Sequence, residues 1–365
     1  MTKIKDVIAH LESFAPRTFQ ESYDNSGLLT GDPNADVHGV LVTLDCTEAV
    51  VDEALNLKCN LIVAHHPIIF EGLKKLIGQN YVERTVIKAI KNDIGIYAIH
   101  TNLDNVHLGV NKKISELIGL RSLSVLAPRK DTLMKLVTFV PKEKEEVVIQ
   151  ALHQSGAGNI GQYKNCSFRV NGTGTFTPTE GSTPHIGKLN ELEKVEEVRI
   201  ELIFPIFLES QIMNTLRQVH PYEEVAHYLT RLENENQDVG AGMIGELEGP
   251  MDPLAFIEHL KINMRTSCVR YTQPHKKMVR KIAICGGSGS FLLSRAMAKE
   301  ADVYVSADFK YHEFFEADGK IMIADIGHYE SEQFTKELLV KVIREKFDTF
   351  AIIFSKIITN PISYL

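Results

Sequence analysis

The sequence has few cysteines, and none of them stand in a pattern typical of disulfides or thiolate metal sites. The five are widely spaced, odd in number and free of any C-x-x-C pair: Cys46, Cys59, Cys166, Cys268 and Cys285. A disulfide framework or a zinc site built on thiolates is therefore not expected. Few and unpaired cysteines are typical of a reducing compartment, so we expect a cytoplasmic protein.

Long apolar runs are also missing. No stretch approaches the roughly 20 apolar residues that a membrane-spanning helix needs. The first 16 residues interleave charged side chains with apolar ones at helical spacing, namely Ile4, Val7, Ile8 and Leu11. This pattern predicts an amphipathic helix and not the apolar block of a signal peptide. We expect no association with a membrane.

The sequence also lacks an excess of positive charge. The formal net charge is -7, which argues against a general nucleic-acid-binding protein, since such proteins are basic. The chain has 365 residues, of which 44% are hydrophobic and 24% charged, as in ordinary globular proteins. This length predicts two or three domains, each able to bury a core.

The first and last thirds of the chain alternate apolar strands with amphipathic helices. In the first third we predict strands at 38–46 and 60–67, a strand with a loop at 94–104, and helices at 47–59 and 81–93. In the last third we predict strands at 280–290, 301–313, 320–332 and 349–355, with a helix at 335–347. The alternation predicts an α/β core in two halves, built on a parallel or mixed sheet.

The middle of the chain has a different order of elements. Its pattern is β-α-β-β-α-β, which is the ferredoxin-like arrangement with an antiparallel sheet. Proline, glycine and charged residues at 126–131 and 233–242 are typical of exposed junctions. We therefore predict an inserted α+β domain at 131–236, between core halves at 1–130 and 237–365.

Polar side chains follow four of the predicted core strands. Ligands of parallel α/β sheets bind outside the carboxyl ends of the strands. At those ends stand His65 with His66, His100 with Asp104, Asp308 with Lys310 and His312, and His328 with Glu332. Packing alone does not readily explain four such groups, so we predict a functional site at this edge.

The adjacent histidines His65 and His66 set a geometric problem, because neighbouring strand residues point to opposite faces. Pro67 favours an extended conformation for His66, so the two side chains should diverge. Either one histidine is structural, or each binds a different ion of a dinuclear centre, whose ions lie ~3.5–4 Å apart. Imidazole and carboxylate ligands without thiolate fit Zn, Fe, Mn, Co or Ni.

The segment HYESE offers a second pair of ligands. Gly327 ends the preceding strand, and residues four apart lie on one helix face, so His328 and Glu332 should point the same way. They could share one ion or bridge two. A surface helix with a favourable glutamate in its first turn is an equally good explanation of this segment alone.

Three further features allow weaker interpretations. We expect His100 to orient the site through a hydrogen bond rather than to bind the metal. The segment CGGSGS at 285–290 could cradle an anion, but a tight turn between strand and helix is the better interpretation. The polar, glycine-rich residues 24–33 could line a pocket, although turn chemistry alone accounts for them.

Taken in order, DNSGLLTGD, AHHP, HTNLDN, CGGSGS, SADFKYHE and GHYESE resemble one family. They are similar to the dinuclear-metal, hexameric proteins known as GTP cyclohydrolase 1 type 2 homologues. The resemblance implies a toroidal homohexamer whose metal sites face an internal cavity. It also implies five metal ligands, with Glu332 bridging two ions: His65, His66, Asp104, His328 and Glu332. The insert, which ends in HPYEEVAHYL, resembles the PII and CutA fold of longer bacterial members.

The resemblance implies a metal-dependent hydrolase with two divalent ions per chain, zinc being favoured. In this hypothesis a hydroxide between the ions attacks the imidazole carbon of a purine triphosphate such as GTP, the ring opens and formate leaves. Metal binding lowers the pKa of water to ~7 in favourable sites. Besides Glu332, we predict that Asp308, Lys310 and His312 transfer protons or contact phosphate.

Two other functions remain open at the level of sequence. A dinuclear site could hydrolyse phosphate esters instead, because a fold does not determine a reaction. A ring-shaped metalloprotein could also act as a regulator or adaptor without turnover. A catalyst needs an open coordination position and a pocket lined by polar loops, which distinguishes it from a regulator. Expected partners are other copies of the chain and a small, phosphorylated molecule.

Overall fold

Fifteen strands and eleven helices are present in the computed structural model, which describes residues 1–365. The strands are β1 (Gly27–Thr30), β2 (Gly39–Thr43), β3 (Leu61–Ala64), β4 (Gly95–Ala98), β5 (Arg121–Arg129), β6 (Leu133–Pro141), β7 (Phe168–Phe176), β8 (Glu193–Pro205), β9 (His227–Leu232), β10 (Asn236–Met251), β11 (Arg270–Tyr271), β12 (Val279–Ser288), β13 (Val303–Ala307), β14 (Met322–Asp325) and β15 (Ala351–Phe354). The helices are α1 (Ile4–Phe14), α2 (Glu48–Asn56), α3 (Tyr81–Lys91), α4 (Thr101–Asp104), α5 (Val110–Leu117), α6 (Glu145–Gln154), α7 (Glu209–Val219), α8 (Pro253–Met264), α9 (Leu293–Ala298), α10 (His328–Glu332) and α11 (Thr335–Arg344). No helix is both long and apolar enough to span a membrane.

The chain divides into two compact units. The first comprises residues 1–127 and 238–365, and the second comprises residues 128–237. These bounds lie close to the junctions expected at 131 and 236. That the second unit folds independently remains a prediction.

The first unit contains a five-stranded sheet in the order β1-β4-β3-β2-β15. Strands β15, β2, β3 and β4 are mutually parallel, and β1 pairs with β4 antiparallel. Every residue of β2, β3 and β4 is buried, as their continuous apolar sequences require when both faces of a sheet are covered. Because β15 follows the last helix yet pairs with β2, both halves of the core share this sheet.

A six-stranded sheet completes the first unit, in the order β11-β14-β13-β12-β10-β5. Strands β12, β13 and β14 are parallel, whereas β10 and β11 pair antiparallel with their neighbours. The predicted α/β core with parallel or mixed sheets is thereby confirmed.

Several local features differ from the expected ones. The expected junctions at 126–131 and 233–242 contain both boundaries between the units, but the ends of β5 and β10 extend into them, and Leu126 and Val239 are buried there. Residues 24–33, whose composition is typical of turns, contain strand β1, which pairs with β4 at the edge of the five-stranded sheet. In the segment 94–104 the strand ends at Ala98, and the expected loop contains the short helix α4.

The second unit has its own sheet and core. Its elements follow the order β6-α6-β7-β8-α7-β9, and its antiparallel sheet has the order β7-β8-β6-β9. Residues from both helices and from strands β6 and β8 form a separate apolar cluster that includes Leu136, Val148, Ile200, Phe204 and Leu216. The likeness of this unit to the PII and CutA fold stays a prediction.

Candidate metal centre

The first unit brings the predicted ligands together at the carboxyl ends of its strands. His65 and His66 follow β3 directly, and Asp104 ends the short helix after β4. His328 and Glu332 begin and end α10, which follows β14 after a glycine at φ +90°. The five side chains thus come from both sheets.

His65 is fully buried and presents one nitrogen to the centre. Its Nδ1 donates a hydrogen bond to the carbonyl oxygen of Ile99 over 2.8 Å, which leaves Nε2 as the unprotonated nitrogen. Nε2 lies 3.6 Å from Asp104 Oδ1 and 3.8 Å from Glu332 Oε1, with no hydrogen-bond partner. Burial lowers the pKa of His65, so the imidazole is neutral and suited to bind a cation.

Asp104 supplies a second unsatisfied atom. Its side chain is 22% exposed, but Oδ1 is buried and has no hydrogen-bond partner. Burial and the nearby charge of Glu332 raise the pKa of Asp104 well above its ordinary value. A buried acceptor without a partner is costly, and a cation between Asp104 and His65 would remove that cost.

His66 and His328 each lie between two carboxylates. His66 Nδ1 is 2.8 Å from Asp45 Oδ1, and its Nε2 is 3.0 Å from Glu332 Oε2. His328 Nδ1 is 2.6 Å from Asp308 Oδ2, and its Nε2 is 3.2 Å from Glu332 Oε2. Burial opposes protonation of both rings, but the carboxylates prevail and raise the pKa of His66 to about 10 and that of His328 to about 11. In the absence of metal, two imidazolium groups therefore lie among the carboxylates of Glu332, Asp45 and Asp308.

Glu332 is the shared residue of the cluster. Its Oε1 faces His65, whereas its Oε2 faces His66 and His328. The side chain is only 3% exposed, and burial would raise its pKa, but the histidines hold that pKa well below its ordinary value. The carboxylate is ionised and presents one oxygen to each side of the cluster.

Three sets of side chains could each hold a metal ion, with ligand atoms within 4.8 Å of one another. They are His65, Asp104 and Glu332; His66, His328 and Glu332; and His65, His66 and His100. The unsatisfied atoms of His65 and Asp104, and the neutral imidazole beside a shared carboxylate, fit divalent cations. The residues present therefore suit the metal centre that the sequence predicts.

His100 lies closer to the centre than its expected orienting role requires. Its Nδ1 is 2.8 Å from Asp24 Oδ1, and its ring centroid lies 5.3 Å from that of His65 and 5.2 Å from that of His66. Asp24 also accepts hydrogen bonds from Ser26 and Thr101. The ring is thus oriented by Asp24, and its position allows it to offer a ligand atom as well.

The residues predicted to transfer protons or contact phosphate lie in different surroundings. Asp308 contacts His328 directly and so belongs to the site. Lys310 and His312 are exposed, and neither lines the cavity at the metal cluster. Their catalytic roles stay predictions.

A cavity of about 480 Å³ opens at the cluster. Its lining includes the aromatic residues Tyr23, Phe70 and Tyr329, and Ile362 from the end of the chain. This volume suits a small molecule. None of residues 24–33, which could have lined a pocket, is among its lining residues.

Sequence reasoning missed Asp45 and the C-terminal residues of the cavity. Asp45 lies just after β2, so the rule that selected the other strand ends would also have selected it. Asn360 and Ile362 line the cavity from a segment without regular structure, and no sequence pattern indicates this.

The fold and site together define a mixed α/β protein with a cluster of histidines and carboxylates able to hold metal. The sequence model of the Duf34/NIF3 (NGG1p interacting factor 3) family matches residues 2–361, and the chain belongs to this family. A Bacillus subtilis relative called GTP cyclohydrolase 1 type 2 homolog is 38% identical over 367 residues, which cover 99% of this chain and 98% of that protein. A Halalkalibacterium halodurans protein of the same name is 39% identical over 365 residues, covering 98% of each chain.

A solved structure supports the same assignment. A Bacillus cereus protein related to NIF3 matches with a TM-score of 0.88 and 38% identity, and the match covers 100% of this chain and 99% of that one. The resemblance found in the sequence motifs is thereby confirmed at the level of the family.

Proposed function

We propose that this protein is a metal-dependent hydrolase with two divalent ions per chain, which opens the purine ring of GTP and releases formate. One observation carries the proposal: the two oxygens of the buried Glu332 carboxylate face different sets of ligands. A carboxylate in that position is suited to bridge two ions. The names of the similar proteins add support for the reaction.

The ligands divide between two positions. His65 and Asp104 would hold one ion, and His66 and His328 the other, with Glu332 common to both. Two divalent ions would supply Lewis acidity, which lowers the pKa of water toward neutrality. The donor set of imidazole and carboxylate accommodates zinc, the ion we favour, as well as Fe, Mn, Co and Ni.

The neighbouring thiol does not alter this donor set. Cys285 is buried near Asp104 and Glu332, and burial raises the pKa of its thiol to about 12. A thiol that stays protonated is a poor metal ligand. Imidazole and carboxylate therefore remain the donors.

Hydrogen bonds fix the orientation of the ligands before any metal binds. The Ile99 carbonyl, Asp45 and Asp308 each hold one ligand imidazole through Nδ1, so that Nε2 points to the centre. Such partners orient metal-binding histidines and make them more basic. Preorganised ligands of this kind suit a site that holds its ions throughout a reaction.

The walls of the cavity suit a planar substrate. Tyr23 and Phe70 are exposed aromatic residues whose ring centroids lie 6.3 Å apart. Aromatic faces stack favourably on other planar rings. A purine could therefore lie against these side chains while its five-membered ring approaches the metal cluster.

We further propose that copies of the chain assemble into a toroidal homohexamer in the cytoplasm, as the family resemblance implies. Light scattering coupled to size-exclusion chromatography would measure the mass directly, and six copies of 41.0 kDa are the expected result. A stable monomer or dimer would contradict this assembly.

The decisive experiment measures formate release from GTP by protein whose metal content has been counted. Wild type is compared with Glu332→Ala and with Glu316→Ala, a control on an exposed surface residue. Formate from wild type and the control, lost in Glu332→Ala, is expected. No formate from protein with two ions per chain would reject the cyclohydrolase reaction and leave phosphoester hydrolysis or a regulatory role to be tested.

A further inference from the structure

The chain after β15 forms one wall of the metal cavity without regular secondary structure. The Ser355 backbone N–H donates to the Val42 carbonyl over 2.7 Å, and the Lys356 backbone N–H donates to Glu53 Oε1 over 2.9 Å. These bonds fix the start of the segment beside β2 and α2. Further along, Asn360 and Ile362 line the cavity.

A chain of side-chain contacts connects this segment to the centre. Thr359 Oγ1 donates to Asp45 Oδ2 over 2.5 Å. The other oxygen of Asp45 lies 2.8 Å from His66 Nδ1, and His66 Nε2 lies 3.0 Å from Glu332 Oε2. Thr359 thus contacts the carboxylate that orients one of the proposed ligands, without touching the ligand itself.

The residue after Thr359 holds the segment in place. Asn360 Nδ2 donates to Glu330 Oε1 over 2.9 Å, and Asn360 Oδ1 accepts from the Ile362 backbone N–H over 3.0 Å. Glu330 is buried within α10, the helix that carries His328 and Glu332. The segment is therefore fastened to the same helix that supplies two proposed ligands, which fixes the position of the Thr359 hydroxyl.

From these contacts we infer that Thr359 is a positioning residue of the metal centre, acting through Asp45 on His66. The inference rests on the proposed metal site. With both oxygens engaged, the Asp45 carboxylate cannot rotate freely, and the His66 imidazole keeps Nε2 directed at Glu332. Without the hydroxyl, Asp45 retains one partner and His66 is less firmly oriented.

The effect should be confined to one of the two ions. Removal of groups that orient metal-binding histidines lowers metal affinity by ~10–100-fold. Because Thr359 lies one contact further out than Asp45, we expect about a tenfold loss, at the lower end of that range. His65 is held by the Ile99 carbonyl instead, so the ion at His65 and Asp104 should bind as in wild type.

The test compares Thr359→Val, which removes the hydroxyl while keeping the shape, with Thr359→Ser, which keeps the hydroxyl. Thr230→Val on the exposed face of β9 is the matched control. Full-length, metal-free protein is titrated with Zn²⁺ in competition with a chromogenic chelator, and Co²⁺-loaded protein gives an independent visible spectrum. Circular dichroism confirms that each variant is folded.

We expect about a tenfold weaker affinity for one Zn²⁺ and an altered Co²⁺ spectrum in Thr359→Val only, with Thr359→Ser and Thr230→Val close to wild type. Equal affinities in wild type and Thr359→Val would overturn the inference, as would equal loss in Thr359→Ser. Neither measurement needs GTP. If wild type binds two ions but releases no formate, the proposed reaction fails while the role of Thr359 stands; if wild type binds fewer than two ions, both fail.

Discussion

Gly287 lies directly against the carboxylate of Glu332. A Cβ atom added to this glycine would come within 2.4 Å of Glu332 Oε1 and within 3.3 Å of His328 Cε1. Gly287 also has φ +64°, a conformation that side chains other than glycine adopt at a cost. Because His66 and His328 hold the buried carboxylate in place, Glu332 cannot move aside without disturbing the cluster.

Gly287→Ala is therefore expected to remove metal as well as to destabilise the fold. The left-handed conformation alone should cost about 1 kcal/mol of unfolding free energy. Gly319→Ala provides the matched control, because Gly319 has φ +63° but an added Cβ would meet nothing within 4 Å. Thermal denaturation and elemental analysis of both variants separate the two effects. Full metal content in Gly287→Ala would show that Glu332 is not a ligand.

Substitutions of single ligands should affect the two proposed ions separately. Asp104→Ala is expected to lose the ion on the His65 side, and His328→Ala the ion on the His66 side. Glu332→Ala should weaken both ions, since it removes the shared carboxylate. Zn²⁺ per chain after dialysis, with cadmium as a second probe, reports the pattern. Two retained ions in Glu332→Ala would contradict the bridge.

Metal affinity should rise with pH across the neutral range. The pKa values of about 10 for His66 and about 11 for His328 mean that both rings carry a proton near pH 7 in metal-free protein. Each must lose that proton to bind a cation, so affinity should rise by up to ~100-fold per pH unit when two protons are released. Calorimetric titration with Zn²⁺ between pH 6 and 8, in buffers of different ionisation enthalpy, counts the protons. Affinity independent of pH would show that these nitrogens do not bind the metal.

Asp104 should destabilise the metal-free protein. Its Oδ1 is buried without a partner and lies near the charged Glu332. Asp104→Asn removes the carboxyl group whose raised pKa makes it costly near neutral pH, so metal-free protein should gain about 1 kcal/mol in unfolding free energy. In the presence of saturating Zn²⁺, wild type should be more stable than Asp104→Asn, because metal binding adds more to its unfolding free energy. Urea denaturation with and without chelator measures both differences. A loss of stability in both states would mean that Asp104 has a structural role.

The strand ends that bring the proposed ligands together can be predicted from the sequence better than their surroundings can. His65, His66, Asp104 and Glu332 follow strands whose apolar character is evident, and parallel strands bring their carboxyl ends to one edge. Asp45 also follows a strand, but a single carboxylate after a strand is common and does not by itself indicate a site. These residues come together because strands of both sheets end at the cluster.

The remainder of the site depends on contacts that leave no pattern in the sequence. Thr359 and Ile362 lie in a segment without periodicity, and their role follows from the pairing of β15 with β2. Strand β10 is not evident from the sequence because its glycines interrupt the apolar residues such as Val239 and Met243. Long-range pairing, and not local propensity, determines both features.

Deletion of the second unit should leave the metal centre intact. Strands β5 and β10, which enter and leave this unit, are hydrogen-bonded neighbours in the six-stranded sheet, so a short turn can join them. All proposed ligands lie in the first unit, and the second has its own apolar core. We therefore expect protein with residues 131–236 replaced by a short glycine-containing turn to fold cooperatively.

That shortened protein should bind as many ions per chain as wild type. Circular dichroism, thermal denaturation and Zn²⁺ content are measured for the shortened protein. The shortened protein that also carries Glu332→Ala is the control for non-specifically bound metal. Loss of metal in the shortened protein would show that the second unit supports the centre. Loss of the thermal transition would show that the first unit does not fold alone. Retention of both would confine the metal chemistry to the first unit, because the turn supplies no side chain able to bind metal.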